Sequence, residues 1–166
     1  RPAVIEANIK KLGLRLEDGV NITIIDQEKN PNYEMFADDY YNIMQRKGVT
    51  PEYAQREARR RSTLIAAMLV KHGMADGMLC GTYSSYDIHL DFVSNIIGKK
   101  DGHNTFFTLN ALMLEDRNLF IADTYVNTNP TAEQLAEMTI LAAEEVRRFG
   151  MTPRIALLSH SSFGSD

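Results

Sequence analysis

The last third of the chain, NLFIADTYVNTNPTAEQLAEMTILAAEEVRRFGMTPRIALLSHSSFGSD (118–166), sets apolar runs, polar loops and one long helical stretch in strict succession. Strand, loop, helix, turn, strand and loop is the grammar of a helix laid on a sheet, because each apolar face needs the other to cover it. Both polar loops follow strand-like runs, at the strand ends where open α/β sheets place their ligands. The first loop carries Asp123, Asn127, Asn129 and Thr131; the second carries Ser159, His160, Ser161, Ser162 and Ser165. Together they are expected to form one wall of a cleft for an anionic ligand.

The helix of this unit has strong punctuation. Thr131 and Gln134 have capping-box spacing, and Gly150 with Pro153 supplies the stop. Leu135, Met138, Ala142, Val146 and Phe149 form an apolar stripe at helical period, and Glu144 and Arg148 are spaced to pair on the wet side. Upstream, Pro2 to Leu12 predicts a helix, as do Tyr33 to Lys47 and Pro51 to about Arg60, the last opened by Thr50. Ser62 is placed to cap a further helix over 63–72 that is apolar nearly all round, and Tyr86 to Ile97 completes the set. The strand candidates are 20–25 (VNITII), 78–80, 105–114, 118–123 and 155–158. Residues 105–114 and 118–123 are separated only by Glu115-Asp116-Arg117, which predicts an antiparallel hairpin. The expected fold class is therefore α/β: a layered α/β/α arrangement with a mostly parallel, mixed sheet.

Composition narrows the function. With a net charge of −4 and a pI near 5.6, the chain is not built to bind nucleic acid or an anionic membrane. One cysteine, Cys80, excludes an internal disulfide framework and points to a reducing, cytoplasmic setting; it is expected to be inert in an apolar strand. No apolar run reaches the roughly 20 residues of a membrane span. The opening RPAVIEANIKK starts in mid-helix, which reads as part of a longer protein.

Three loops gather hydroxyls, amides and backbone N–H groups before helix starts: Gly81 to Ser85, with Thr82, Ser84 and Ser85, and the two loops already described. Such places suit phosphate or another anion, and equally suit helix caps and turns. The run Arg56, Arg59, Arg60, Arg61 reads as a solvated helix end rather than a phosphate clamp. Neither GxGxxG nor GxxxxGK[ST] occurs. His72, His89, His103 and His160 are scattered without metal-ligand spacing, so neither a metal site nor a catalytic residue is assigned. Asp87 and Asp91, four apart, read as a solvated edge.

Several stretches resemble the phosphotransacetylase (phosphate acetyl/butyryl transferase) family. They are MLVKHGMADGMLCGT (68–82), FIADTYVNTNPTAEQLAEMTILAAEEVRRFGMTPRIALLSHSSFGSD (120–166) and, less sharply, IIDQEKNPNYEMFADDYYNIMQRKGVTPEYA (24–54). More narrowly, ADTYVN, SHSSFGSD and RPAVIEANIKKLGL resemble the phosphotransacetylase-like C-terminal region of bacterial NADP-dependent malic enzymes. The resemblance implies a lobe like those of phosphotransacetylases and isocitrate/isopropylmalate dehydrogenases. It makes 1–166 a partial domain, with about 1–61 a strip of the first lobe and about 62–166 the main lobe. Active members carry an arginine in a TTADTLRP-like helix start; here the corresponding SSYDIHLDF (84–92) has none and brings Asp91 to that region. The resemblance thus implies a regulatory, oligomer-forming domain that binds acetyl-CoA as an allosteric effector and is not itself catalytic. Its parent would oxidatively decarboxylate malate to pyruvate, with NADP and Mg or Mn held in an upstream domain and no cofactor in this stretch. The alternatives are an active phosphate acetyltransferase and an interaction module without a ligand. The ligand-cleft residues it implies are Thr82, Ser84, Ser85, Asp123, Asn127, Asn129, Thr131, Ser159, Ser161 and Ser162.

Overall fold

The computed structural model describes residues 1–159 and divides into two compact units, Arg1–Gly98 and Lys99–Asp166.

The first unit is helical. Helices α1 (Pro2–Lys11), α2 (Tyr33–Met44), α3 (Pro51–Arg60), α4 (Ser62–Lys71) and α5 (Tyr86–Ile96) stand close to their predicted bounds. A short 3-10 turn, Gln45–Lys47, extends α2 to Gly48, whose φ of 86° gives the left-handed stop that a side chain would strain. Thr50 caps α3 as predicted, its hydroxyl accepting from the Tyr53 N–H at 3.2 Å. The core is where the helical stripes meet: Phe36, Tyr40 and Met44 of α2, Ala54 and Ala58 of α3, Leu64, Ile65, Ala67 and Met68 of α4, and Phe92 and Ile96 of α5. The all-round apolar pattern of α4 is explained by this central place, Leu64, Ala67 and Met68 being fully buried. Tyr40 lies 6.1 Å from Phe92 between ring centroids, and burial pushes its phenol up to about 12, with Tyr53 and Glu57 adding to the shift.

The second unit is a hairpin and a helix. Strands β1 (Leu109–Met113) and β2 (Asn118–Ala122) pair antiparallel with Leu109 opposite Ala122 and Met113 opposite Asn118, as their short connection requires. Helix α6 (Ala132–Arg148) opens with the predicted capping box. The Thr131 hydroxyl accepts from the Gln134 N–H (3.3 Å), and the Gln134 side-chain oxygen accepts from the Thr131 N–H (2.8 Å). Thr131→Ala is expected to destabilise this unit by about 1 kcal/mol, since both orphan donors lose their partner geometry; hydrogen exchange in the first turn of α6 checks it. Met138 and Ala143 are the buried residues of α6, and Phe120 of β2 meets Phe149 at 5.4 Å between centroids.

Several expectations are corrected. Among the described residues the sheet consists of β1 and β2 alone, antiparallel, with no parallel neighbour. Residues 20–25, 78–80 and 155–158 are not strands; Val20 is 72% exposed, Leu79 101% and Leu158 93%. Their β-branched or apolar composition fits a pleated surface only when a neighbouring strand pairs with it, and among the described residues they have no more than an isolated bridge between Asp18 and Ile22. Cys80 is accordingly exposed rather than buried in a strand. Ser62 is the first residue of α4 and makes no cap bond; Arg61 takes the N-cap position. On α6, Arg148 pairs with Glu145 at 3.0 Å rather than with Glu144, which faces Lys100 at 3.9 Å. Asp87 and Asp91 are exposed, as expected. Among the described residues no helix is long and apolar enough to cross a membrane.

Candidate functional site

In the first unit a cavity of about 310 Å³ opens where α3 hands over to α4 and where the Gly81–Ser85 loop enters α5. Its wall includes Arg60 and Arg61, Ser62 and Thr63 of the first turn of α4, Cys80, Tyr83, Ser84 and His89. The hand-over is a single residue: Arg61 is extended (φ −103°, ψ 102°), so α3 ends and α4 begins without a linker. This junction splits the arginine run. Arg56 and Arg59 lie over the rings of Tyr53 (4.8 Å) and Tyr33 (4.3 Å), and their charges are accommodated there. Arg61 donates to the buried Glu57 at 2.9 Å, and the hydrogen bond and charge of Glu57 raise the guanidinium pKa further. Arg60 has no ion pair among the described residues. The N-termini of α4 and α5 lack side-chain caps, so their first-turn N–H groups are left for other acceptors. A cationic side chain and uncapped helix starts around one hollow favour an anion.

Thr82 and Ser84 adopt positive φ (63° and 79°) in the loop that borders this cavity. The loop is tied down by His89. Its Nε2 lies 2.7 Å from the Tyr83 carbonyl oxygen and its Nδ1 2.8 Å from the Thr63 hydroxyl.

A second cavity, of about 430 Å³, lies in the other unit between β2, α6 and residues 151–157. Leu109, Phe120, Leu135, Met138, Val146 and Ile155 make it apolar, and Asp123 stands at its edge. That carboxylate is fully engaged. It accepts from the Thr108 N–H (3.0 Å) and hydroxyl (2.7 Å), the Val126 N–H (3.3 Å), and the Asn127 N–H (2.7 Å) and side-chain amide (2.6 Å). Burial alone would raise its pKa, but the hydrogen bonds from Thr108 and Asn127 outweigh burial and hold it well below the usual carboxylate range. The Asn127 amide also donates to the Phe106 carbonyl at 2.7 Å.

The residues expected to line one ligand cleft are therefore divided. Ser84 lines the cavity of the first unit, Thr82 and Ser85 flank it in the same loop, and Ser85 is the N-cap position of α5. Asp123 and Asn127 staple the segment after β2 to the residues before β1, and Thr131 is spent on the α6 cap. Asn129 and Ser159 are exposed. Ser161, Ser162, His160 and Ser165 lie outside the described residues. From sequence, Arg60 and Arg61 read as a solvated helix end and His89 as one of four scattered histidines, and none is assigned to the site. The two arginines carried a signal, a charge run ending where a new helix begins, whereas the partners of His89 are 26 and 6 residues away and left none.

Comparison with known proteins identifies the family. A family model described as phosphate acetyl/butaryl transferase matches residues 3–166. Over 166 residues the chain is 52% identical to the NADP-dependent malic enzyme of Haemophilus influenzae and 51% identical to that of Escherichia coli; each match takes in 100% of this chain and 22% of the relative. Against the phosphate acetyltransferase of Synechocystis sp. it is 35% identical over 144 residues, 87% of this chain and 20% of the relative. The chain thus spans about a fifth of the length of these relatives. A crystal structure of a phosphotransacetylase from Streptococcus pyogenes superposes with a TM-score of 0.83 at 28% identity, covering 100% of this chain and 50% of that one. By sequence and by fold, the chain belongs to the phosphate acetyl/butaryl transferase family.

Proposed function

We propose that this stretch is the phosphotransacetylase-like regulatory part of an NADP-dependent malic enzyme, binding acetyl-CoA as an allosteric effector and contributing to self-association without catalysing acetyl transfer. The observation that carries it is that about half of all positions agree with three proteins named NADP-dependent malic enzyme across the whole chain, against about a third with two proteins named phosphate acetyltransferase, while two further malic enzymes stand at 33% and 28%. The parent would oxidise and decarboxylate malate to pyruvate with NADP and Mg or Mn bound elsewhere; none of the ten cleft residues is assigned to that chemistry. The cavity beside Arg60 and Ser84 supports an anionic effector. At about 310 Å³ it sits at the small end of the roughly 300–1,000 Å³ of ligand pockets, and so suits the diphosphate portion of a CoA ester rather than the whole molecule. Asn129, exposed in the loop after β2 of the other unit, is tested separately as a ligand residue.

The full-length protein decides it. Acetyl-CoA is expected to inhibit malate oxidation and to bind by calorimetry, with acetyl-CoA formation from acetyl phosphate and CoA at background. Arg60→Ala and Asn129→Ala are each expected to weaken inhibition about 5-fold or more, at unchanged melting temperature and unchanged malate turnover without effector. Robust acetyl-CoA synthesis would instead establish an active phosphate acetyltransferase, the alternative that the missing arginine in 84–92 disfavours. Absence of any acetyl-CoA binding would leave a module that acts only by association.

A further inference from the structure

We propose that His89 is the positioning residue of the cavity in the first unit: its imidazole latches the Gly81–Ser85 loop onto the first turn of α4 and so fixes the wall that an acyl-CoA effector meets. The proposal about the effector rests on the function proposed above; the latch itself does not.

The loop needs a latch. Thr82 and Ser84 hold φ of 63° and 79°, a left-handed conformation that strains a non-glycine residue, and α5 offers no side-chain cap to hold the loop at its start. His89 ties this loop to α4 by hydrogen bonds to Tyr83 and Thr63. The carbonyl oxygen of Tyr83 can only accept, so Nε2 carries a hydrogen and donates to it at 2.7 Å. Nδ1 then accepts from the hydroxyl of Thr63 at 2.8 Å, and Thr63 is itself buried in the first turn of α4. One ring thereby joins two helices and the loop between them, and both its partners line the cavity with it. An uncoupled loop would leave Ser84 and Tyr83 to sample other backbone states, and any ligand would have to order them again on binding.

Two variants separate the bond from the bulk. His89→Gln keeps a donor near the Nε2 position, whereas His89→Phe keeps a ring and removes both bonds. In full-length protein, chymotrypsin cleavage at the Tyr83–Ser84 bond is followed by mass spectrometry; Tyr83 is 85% exposed and its bond is the natural target. His89→Phe is expected to speed that cleavage at least 10-fold and His89→Gln by no more than about 3-fold, with both melting within a few degrees of the parent. Acetyl-CoA affinity, by calorimetry, is expected to fall at least 10-fold in His89→Phe and to stay within about 3-fold in His89→Gln. Unchanged cleavage in His89→Phe overturns the latch, and so does equal loss in both variants. If the parent protein binds no acetyl-CoA, the effector assignment fails while the cleavage pattern still decides the latch. If cleavage changes as expected but affinity does not, His89 holds the loop without positioning a ligand, and the proposal is overturned in that part.

Discussion

Replacing Asp123 by alanine is expected to destabilise the second unit by roughly 3–5 kcal/mol, the sum of several hydrogen bonds to a charged acceptor reduced for partial exposure. The carboxylate gathers five donors from Thr108, Val126 and Asn127. Its removal strands three backbone N–H groups at the point where the chain leaves β2. The measurement is hydrogen exchange of residues 106–127 in the full-length protein, backed by urea unfolding. A change under 1 kcal/mol would show that water replaces the carboxylate without loss. The pH dependence has a definite sign. Folding lowers this pKa, so the stabilisation is complete above about pH 4, the range in which an unfolded aspartate is ionised, and fades as the pH falls toward the depressed folded value. Asp123→Asn should therefore unfold with less acid sensitivity than the parent.

Phe36→Ala is expected to cost about 3–5 kcal/mol in the first unit. Phe36 is 1% exposed, belongs to the helical core cluster and stacks on His72 at 5.7 Å between ring centroids, and His72 in turn meets Asp39 at 2.7 Å. Truncation empties the middle of the cluster and removes the surface against which the His72 ring is set, so two contacts fail together. Phe36→Leu refills most of the volume and should recover more than half of the loss. Thermal unfolding of the two variants side by side tests this; equal losses would mean that ring stacking rather than volume carries the effect.

The helices were legible because each announces itself over a few neighbouring residues. Thr50 and Thr131 sit where a cap belongs, Gly48 and Gly150 where a helix must stop, and the apolar positions between them recur at 3.6. The hairpin was legible for the same reason, its two runs lying close in sequence. Residues 20–25, 78–80 and 155–158 have the composition of strands without being strands, because a strand is a property of two segments and composition describes one. The site was only partly visible. Polar residues after a strand identify a place where unsatisfied groups meet, but Asp123, Asn127 and Thr131 satisfy their own backbone, and no spacing rule separates that use from ligand binding. Arg60 differs from its neighbours only in three dimensions: Arg56 and Arg59 lie over tyrosine rings, whereas Arg60, with no ion pair among the described residues, lines the cavity at a helix junction.

The unpaired run Ile155–Leu158 bears on how the molecule is handled. Ile155, Leu157 and Leu158 are exposed by 52%, 70% and 93%, and among the described residues no strand pairs with them. A segment of that kind is a template for edge-to-edge association between molecules, and it has neither a charge nor a proline within it to discourage pairing. Arg154 and Pro153 stand immediately before it as gatekeepers on one side only. Expression of these residues apart from the remainder of a larger protein would consequently favour aggregates, and solubility would depend on covering this short edge more than on the helical core.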